Sequence, residues 1–542
     1  MQGLMQHHPL MISGVIEFAA TYHADTEVVS RRVEGDIHRT NYAEVNGRAK
    51  QIANALDAMN IPRSARVGTL AWNGYRHFEL YYGVSGSGRV LHTVNPRLHP
   101  DQLVWIVNHA EDEVFAFDMT FLPLVKAVAG KLTTVKHFIA LCGADTLPAD
   151  SGIPNLISYE AWIGAQSDVY QWPAFDENLA SSMCYTSGTT GNPKGVLFSH
   201  RSTMLHAMAG AATDVLGISS RDCVLPVVPM FHVNAWGLPY LMPMMGSKIV
   251  FPGAGMDGKS IYELFEQEKV TFSAGVPTVW QMLLSYMETS NLTLTTMKRT
   301  VIGGSACPPA MLDAFRDKYG VTVNHAWGMT EMSPIGTYGT LKGKHANADW
   351  PTQRAILLKQ GRAVFGVDMK IVDPEGKALA HDGKVSGDLL VRGPWIVSEY
   401  FKGEGGTIVD QEGYFATGDV GTIDPDGFLQ ITDRSKDVIK SGGEWISSID
   451  VENIAMAHPA VMMSACIGIH HPKWDERPIL VVVKKPNADV TAQDLLNFYD
   501  GKIAKWQVPD DVQFVEAIPL GATGKMMKAK LREQFKDYVL PT

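Results

Sequence analysis

The stretch CYTSGTTGNPKG, residues 184–195, concentrates groups that bind phosphate. Its three glycines let backbone N–H groups converge on an anion, its Ser and Thr hydroxyls add donors, and Lys194 adds one positive charge. An ordinary surface loop is the alternative, but such loops rarely combine so many hydroxyls with a single placed lysine. The composition therefore predicts a phosphate-binding loop.

A second stretch, FPGAGMDGKS at residues 251–260, fits both the G-x-x-x-x-G-K-[ST] phosphate loop and the G-x-G-x-x-G dinucleotide fingerprint. The first pattern requires Lys259 to bind phosphate and a later carboxylate to hold magnesium, and no convincing carboxylate follows. The second requires an acidic residue about twenty positions later, where TFSAGVP has none. We therefore predict a turn between strand SKIVF and helix SIYELFEQEK, with Asp257 or Gly258 near the helix start.

Strand patterns alternate with helical patterns over most of the chain, which is typical of layered α/β sheets. Thr40 is a fair N-cap for the amphipathic helix that follows it. From about residue 361, strands separated by Gly and Asp turns predict a small antiparallel β-unit. The polar stretch at 433–443 is typical of a connection, so we predict a large domain over 1–435 and a small α+β domain over 436–542.

Composition narrows the classes of function. A chain of 542 residues needs more than one core, and its formal net charge of −10 argues against nucleic acid or an anionic membrane as the main partner. No apolar run approaches the ~18 residues of a membrane span, and the first residues lack a signal-peptide pattern. Five scattered cysteines without metal-ligand spacing favour a reducing cytoplasm.

Six motifs occur in order across about 340 residues: YTSGTTGNPKG at 185–195, GGSA at 303–306, WGMTE at 327–331, YFATGD at 414–419, DRSKDVIKSGGEWIS at 433–447 and GATGKMMK at 521–528. Together they resemble the AMP-forming adenylate superfamily of acyl-CoA synthetases, peptide-synthetase adenylation domains and luciferases. VPMFHVNAWG and KSGGEWIS are similar to the fatty-acid-activating branch, above all to bacterial medium-chain fatty-acid–CoA ligases and 3-methylmercaptopropionate–CoA ligases.

The resemblance implies a large N-terminal α/β domain, a small mobile C-terminal α+β domain and a two-step reaction. A medium-chain fatty acid or a short thioether acid attacks the α-phosphate of ATP to give an acyl-adenylate and pyrophosphate, and CoA then displaces AMP. ATP, Mg²⁺ and CoA are the implied cofactors, and a homodimer is a family-level expectation. Since neither step requires an enzyme nucleophile, catalysis is expected to rest on positioning and charge neutralisation.

The resemblance also assigns residues to ATP. Lys525 bridges the substrate carboxylate and the α-phosphate, while Glu331 and Thr186 hold Mg²⁺. The nucleotide contacts are Thr186, Ser187, Gly188, Thr189, Thr190 and Lys194 at the β- and γ-phosphates, Thr330 at the α-phosphate, Gly304, Ser305 and Ala306 along the adenine with Trp327 available for stacking, Asp419 and Arg434 at the ribose, and Gly328 and Met329 in the same nucleotide site.

Further residues are implied for the acid and for CoA. Trp236 matches a tryptophan that gates the acyl channel in the long-chain branch, and Lys436 matches the domain hinge. His232 is either catalytic or a satisfied core histidine, and both alternatives stay open. The full acyl set is His232, Trp236, Gly303 and Gly328, and the CoA segment is Lys440, Ser441, Gly442, Gly443, Glu444 and Trp445.

Rival functions share the first chemical step. A stand-alone adenylation enzyme that loads a carrier protein, or a luciferase-like oxygenase, also forms an acyl-adenylate, but KSGGEWIS favours CoA and we expect no carrier domain. In a non-catalytic acyl-AMP sensor we would expect Lys525 or Glu331 to be replaced by another residue, and both residues are present.

Replacing Lys259 separates the two interpretations of residues 251–260. We expect kcat/KM for ATP in Lys259→Ala to stay within about tenfold of the wild-type value, because we place this lysine away from the triphosphate. Lys194→Ala is the matched control and should lower the same value. Steady-state kinetics at varied ATP decide between them: a loss in Lys259→Ala above about 1.4 kcal/mol would restore the phosphate-loop interpretation of this stretch.

Overall fold

A computed structural model describes residues 1–148, 150–186, 192–441, 444–521 and 526–540, the side chains of Glu444 and Trp445 excepted. The α-helices in these residues are α1 Ile12–Tyr22, α2 Tyr42–Ala58, α3 Tyr75–Gly86, α4 Pro100–Ala110, α5 Leu122–Val128, α6 Tyr159–Gly164, α7 His200–Ala211, α8 Leu238–Met245, α9 Gly258–Glu268, α10 Pro277–Thr289, α11 Pro309–Tyr319, α12 Trp350–Leu357, α13 Ser448–Met456, α14 Ala492–Asn497 and α15 Lys528–Gln534. Among the described residues, none of the helices has the length and apolar character that a bilayer crossing requires.

The strands are β1 Glu27–Arg31, β2 Ile37–Asn41, β3 Arg66–Leu70, β4 Val90–Thr93, β5 Asp112–Phe117, β6 His137–Ala140, β7 Leu156–Ser158, β8 Ala180–Tyr185, β9 Gly195–Ser199, β10 Cys223–Pro226, β11 Lys248–Phe251, β12 Phe272–Gly275, β13 Arg299–Ile302, β14 Thr322–Gly328, β15 Ile335–Tyr338, β16 Arg362–Ala363, β17 Asp368–Val372, β18 Gly387–Arg392, β19 Phe415–Ile423, β20 Leu429–Arg434, β21 Ile439–Ser441, β22 Glu444–Ile446, β23 Val461–His471, β24 Asp475–Lys484 and β25 Asp511–Phe514.

Two large sheets build the N-terminal part of the chain. One has the order β7-β6-β5-β3-β4-β8-β9 and is parallel except at β9. The other has the order β16-β15-β14-β13-β12-β10-β11-β1-β2, with a parallel centre and antiparallel edges. Helix α3 is buried along its whole length and contacts strands of both sheets. The layered α/β architecture predicted from continuous apolar strands is therefore confirmed.

The N-cap predicted for the first long amphipathic helix was wrong by one residue. Helix α2 is capped by Asn41, whose Oδ1 accepts the backbone N–H of Glu44 at 2.9 Å. Thr40 lies one residue earlier in β2, opposite Val28, and its hydroxyl donates to the Glu44 carboxylate at 2.6 Å. Both residue types are good caps and both residues belong to β2, so their types alone do not distinguish them.

Residues 251–260 form a turn, as predicted. Asp257 is the N-cap of α9 and accepts the backbone N–H of Ser260 at 2.9 Å. Gly258 packs directly on the α10 backbone, since a Cβ there would lie 2.3 Å from the carbonyl oxygen of Met282. The Lys259 side chain is 65 % exposed and extends along α9 towards Glu263. Close packing and capping therefore account for the small residues of this stretch.

Two small sheets follow the large ones. The antiparallel sheet β17-β18-β19-β20 confirms the β-unit expected from its Gly and Asp turns. The last sheet has the order β22-β21-β24-β23, with β25 added to β24. Only residues 435–438 separate the two sheets, so the expected connection is shorter than 433–443. Ser447 caps α13 and accepts the backbone N–H of Asp450 at 3.1 Å, while the domain boundary after residue 435 stays a prediction.

A buried ion pair links α13 and α15, the helices at the two ends of this last region of the chain. Lys528 Nζ lies 2.7 Å from Glu452 Oε1, and the side chains are 9 % and 8 % exposed. Burial lowers the pKa of Lys528, but the Glu452 and Asp433 carboxylates more than reverse this, so its pKa is raised. Asp433, at the end of β20, also accepts the backbone N–H of Ser448 at 2.7 Å. This cluster therefore joins β20 to α13 and α15.

Removing one partner of this pair should destabilise the protein. We expect Lys528→Met to lower the free energy of unfolding by about 3 kcal/mol, because it leaves a buried carboxylate without its cation. The double variant Lys528→Met/Glu452→Leu should recover part of the loss, and Lys536→Met, at an exposed pair with Glu533, is the control. Differential scanning calorimetry provides the comparison. Equal melting temperatures for Lys528→Met and Lys536→Met would contradict a stabilising role for the pair.

Candidate functional site

A cavity of about 360 Å³ lies at the carboxyl ends of β10, β12, β13 and β14, where parallel sheets commonly bind ligands. Its lining residues are Arg97, Thr186, Asn192, Lys194, Val227, Val228, Pro229, His232, Val233, Trp236, Met256, Val276, Val279, Gly303, Gly304, Ala326, Trp327, Gly328, Met329, Thr330, Glu331, Pro334, Ile335, Tyr400, Thr417, Arg434 and Lys436. Most residues predicted for ATP and for the acid are therefore neighbours around one space.

The base of the predicted phosphate loop forms one wall of the cavity. Thr186 and Lys194 face each other where β8 ends and β9 begins: the Thr186 N–H donates to the Lys194 carbonyl at 2.9 Å, and the Lys194 N–H donates to the Thr186 hydroxyl at 3.1 Å. The Lys194 ammonium lies 4.7 Å from the centre of the Tyr400 ring. The tip of the loop, Ser187, Gly188, Thr189 and Thr190, lies outside the described residues.

Glu331 supplies a buried carboxylate beside that wall. It belongs to the short 3₁₀ helix Thr330–Met332 and is 7 % exposed. Its Oε1 accepts the Tyr400 hydroxyl at 2.8 Å, and its backbone carbonyl accepts the Val397 N–H at 2.8 Å. Burial raises the pKa of Tyr400, which keeps the phenol protonated as a donor. Tyr400 thus contacts both the lysine and the carboxylate of the site.

Trp327, predicted at the adenine, is hydrogen-bonded to the pair Asp419 and Arg434, predicted at the ribose. The Trp327 indole N–H donates to Asp419 Oδ2 at 2.8 Å, and Arg434 Nε lies 3.3 Å from Asp419 Oδ1. Asp419 and Arg434 are directly opposite each other on β19 and β20. Antiparallel pairing therefore brings together two opposite charges that are 15 positions apart in the sequence. The Trp327 indole, which bonds to this ion pair, lines the cavity.

The acyl side of the cavity contains an unusual backbone segment. Val233, Asn234, Ala235, Trp236 and Gly237 have φ values of 39°, 52°, 45°, 58° and 79°, so they form one left-handed turn. For L-residues this conformation costs roughly 1–2 kcal/mol each, and β-branched valine tolerates it least. Such strain persists only where the surroundings hold it, and it is frequent at functional sites.

Close packing fixes both sides of this turn. The Trp236 indole lies over Gly303, where a Cβ would come within 2.8 Å of Trp236 Cη2. A Cβ on Gly237 would lie 2.7 Å from the His206 ring. Burial lowers the pKa of His206 to about 3, so the ring is neutral and its Nε2 accepts the Ile335 N–H at 3.1 Å. Glycine is therefore required at 303 by the indole and at 237 by the imidazole.

Only some of the remaining predicted residues line the cavity. Gly303 and Gly304 line the cavity, but Ser305 is exposed and neither it nor Ala306 is part of the lining. Lys436, predicted as the hinge, lines the cavity. Lys440 and Ser441 lie on β21 away from it, and the Lys440 N–H donates to Glu476 at 2.9 Å. Gly442, Gly443, Lys525 and the side chains of Glu444 and Trp445 lie outside the described part of the chain.

Sequence reasoning missed three residues of the cavity region. Tyr400 lies 69 positions from Glu331, and no local pattern marks it as a partner. Arg97 follows β4 and lines the cavity, where burial lowers the pKa of its guanidinium. Asn234 is buried beneath the left-handed turn. The segment VNAWG did contain a weak signal, because asparagine and glycine are the residues that most readily adopt positive φ.

Comparisons with known proteins identify the family and the fold. The model of the AMP-binding enzyme family matches residues 16–401, and that of the AMP-binding enzyme C-terminal domain matches residues 450–525. A solved structure of the anthranilate CoA ligase AuaEII with anthranoyl-AMP has a TM-score of 0.87 at 25% identity, covering 98% of this chain and 99% of that one. The adenylate-forming fold, with a large N-terminal and a small C-terminal domain, is therefore confirmed.

Two curated relatives match over nearly their whole length. A 3-methylmercaptopropionyl-CoA ligase of Ruegeria lacuscaerulensis is 53% identical, with 99% of each chain covered. A medium-chain-fatty-acid–CoA ligase of Ectopseudomonas oleovorans is 48% identical over 100% of this chain and 98% of the relative. By motif order, fold and these matches, the chain belongs to the AMP-binding enzyme family.

Proposed function

We propose that the protein is an AMP-forming acyl-CoA ligase, which converts a medium-chain fatty acid or a short thioether acid such as 3-methylmercaptopropionate to its CoA thioester. The observation that carries the proposal is the cavity in which Lys194, Glu331 and the Trp236 wall converge. Relatives named for these two acids add support at 53% and 48% identity.

In the first step, a carboxylate oxygen of the acid bonds to the α-phosphorus of ATP, and the bond to the leaving pyrophosphate breaks. Both reactants are anions, so fixed positive charge lowers the barrier. Lys194 supplies such charge from the cavity wall, and Thr330 supplies a hydroxyl. Lys525, by resemblance, adds a cation between the carboxylate and the α-phosphate.

In the second step, the thiol of CoA attacks the acyl carbon and AMP leaves with the bonding electrons. Trp327, Asp419 and Arg434 hold the nucleoside part in this proposal, so that AMP stays oriented as a leaving group. Lys436 and the segment Lys440–Trp445 are proposed to act as hinge and CoA contact when the small domain turns.

Mg²⁺ is compatible with the oxygen donors at the phosphate wall. Mg²⁺ prefers one or two protein oxygens and fills its remaining positions with water and substrate phosphates. The buried Glu331 carboxylate and the Thr186 hydroxyl are such oxygens, and the described residues contain no group of three or more His, Cys, Asp or Glu side chains that would form an all-protein site. When bound there, the ion would neutralise charge on the phosphates of ATP.

The acyl side favours an aliphatic acid. Val227, Val233, Val276, Val279 and Met256 give this wall of the cavity an apolar surface. Each methylene buried on such a surface contributes ~0.8 kcal/mol, so the depth available below Trp236 determines the favoured chain length. A thioether chain fits the same surface, because its sulfur is soft and nearly apolar.

Other features of the proposal rest on the family alone. A carrier-protein-loading enzyme or an acyl-AMP sensor shares the ATP site, and only the product distinguishes them. A homodimer and a cytoplasmic location stay predictions, the latter supported by five buried cysteines that form no disulfide.

Product analysis tests the function directly. We expect purified protein with ATP, Mg²⁺ and CoA to form acyl-CoA, AMP and pyrophosphate from octanoate or 3-methylmercaptopropionate. Lys525→Ala should suppress acyl-adenylate formation by at least about 100-fold while sparing thioester formation from supplied acyl-AMP, because its charge acts only in the first step. Release of pyrophosphate with acyl-AMP but without thioester would favour the carrier-loading alternative. Equal loss in both half-reactions would contradict the assignment of Lys525.

Trp236→Ala tests the acyl wall. Removing the indole opens space over Gly303, so we expect the preference between short and long acids to change while KM for ATP stays nearly constant. The measurement is kcat/KM for acids of C4 to C14, together with melting temperatures. A packing role predicts instead a parallel loss for every acid and a loss of stability of ~3–5 kcal/mol.

A further inference from the structure

We propose that Asn234 is the positioning residue that sets acyl specificity, because its side chain holds the left-handed turn that presents Trp236 to the cavity. This inference deepens the proposed function and rests on it. Asn234 itself does not line the cavity, since it is 5 % exposed and belongs to the core beneath the turn. Its action on the acid is therefore indirect, through the backbone of residues 233–237.

The Asn234 amide is held from two directions. Its Nδ2 donates to the Ser182 hydroxyl at 2.9 Å, and its Oδ1 accepts the Tyr81 hydroxyl at 3.3 Å and the Cys184 thiol at 3.6 Å. The Tyr81 hydroxyl donates mainly to the Met230 carbonyl at 2.5 Å, so its contact with Asn234 Oδ1 is the weaker branch of a shared hydrogen bond. Ser182 and Cys184 belong to β8 and Tyr81 to α3, so two buried, rigid elements fix one side chain.

This clamp explains how four consecutive non-glycine residues keep positive φ. Asparagine adopts φ near +52° more readily than most residues, yet Val233 and Trp236 on either side do not. Local preference therefore favours release of the turn, and the hydrogen bonds of a buried amide oppose it. Because a buried polar group left without partners is costly, the turn and the amide contacts stabilise each other.

The position of the indole follows from the turn. Trp236 lies two residues after Asn234, and its ring rests on Gly303 with no room for a Cβ between them. On the other side of the turn, Gly237 packs on His206, which also binds the backbone of Ile335. The turn is therefore held at Asn234 and at Gly237, and loosening Asn234 frees the indole to leave the space over Gly303.

The test uses the full-length enzyme with butyrate and octanoate as probes. We expect Asn234→Ala to change the ratio of kcat/KM for octanoate over butyrate by about tenfold in favour of octanoate, with KM for ATP within about twofold of wild type. Asn234→Gly tolerates positive φ but lacks the amide, so it should change the ratio similarly while melting at a higher temperature than Asn234→Ala. Tyr81→Phe removes one hydrogen bond to the amide and should produce a smaller change in the same direction.

Tyr42→Phe is the matched control, because Tyr42 is also fully buried and donates to one backbone carbonyl, that of Ser247 at 2.6 Å. It should lower the melting temperature as Tyr81→Phe does and leave the acid ratio unchanged. A wild-type ratio in Asn234→Gly would overturn the proposal, since backbone φ alone would then be sufficient. Parallel losses for both acids in every variant would also overturn it. Absence of thioester in the wild type would instead defeat the proposed function, so the two failures are distinguishable.

Discussion

The left-handed turn at residues 233–237 is the constraint on which the acyl half of the site depends. It is unfavourable for the residues that form it, so its surroundings must be rigid. Helix α3 and strand β8 supply that rigidity from the buried space between the two large sheets, and Gly303 supplies the flat surface that receives Trp236. The layered α/β fold thus serves as a support that holds a strained loop against the ends of parallel strands.

Much of the fold could be predicted because its signals are local. Buried parallel strands appear as continuous apolar runs, and Asp257 marks the start of α9 by an ordinary cap. A choice between two adjacent residues of equally good capping type could not be predicted: Asn41 caps α2, whereas the Thr40 hydroxyl donates to the Glu44 side chain. The site follows the same rule, since motif residues were identified from short patterns but Tyr400 and Asn234 act through partners distant in sequence.

The charged residues that line the cavity are mainly positive, whereas the chain as a whole is negatively charged. The chain has a formal net charge of −10, yet the described lining contains the cations Arg97, Lys194, Arg434 and Lys436 and one carboxylate, Glu331, while Asp419 pairs with Arg434 behind the wall. Positive charge in a cleft lined partly by apolar side chains is screened less than on the surface and attracts polyanions. A site that binds ATP, a carboxylate and CoA in succession needs this local reversal of charge, because every one of its ligands is an anion.

The same site offers charge and position rather than an enzyme nucleophile. All five cysteines are buried, and burial raises the pKa of Cys184 to about 11 and that of Cys223 and Cys307 to about 12, so these thiols stay protonated near neutral pH. His206 is held neutral and is committed to the backbone of Ile335. Acyl transfer through an adenylate requires no covalent enzyme intermediate, because ATP activates the carboxylate and CoA brings its own thiol. The energetic task left to the protein is to hold anions together in a fixed geometry, which rigid sheets, paired charges and a clamped turn accomplish.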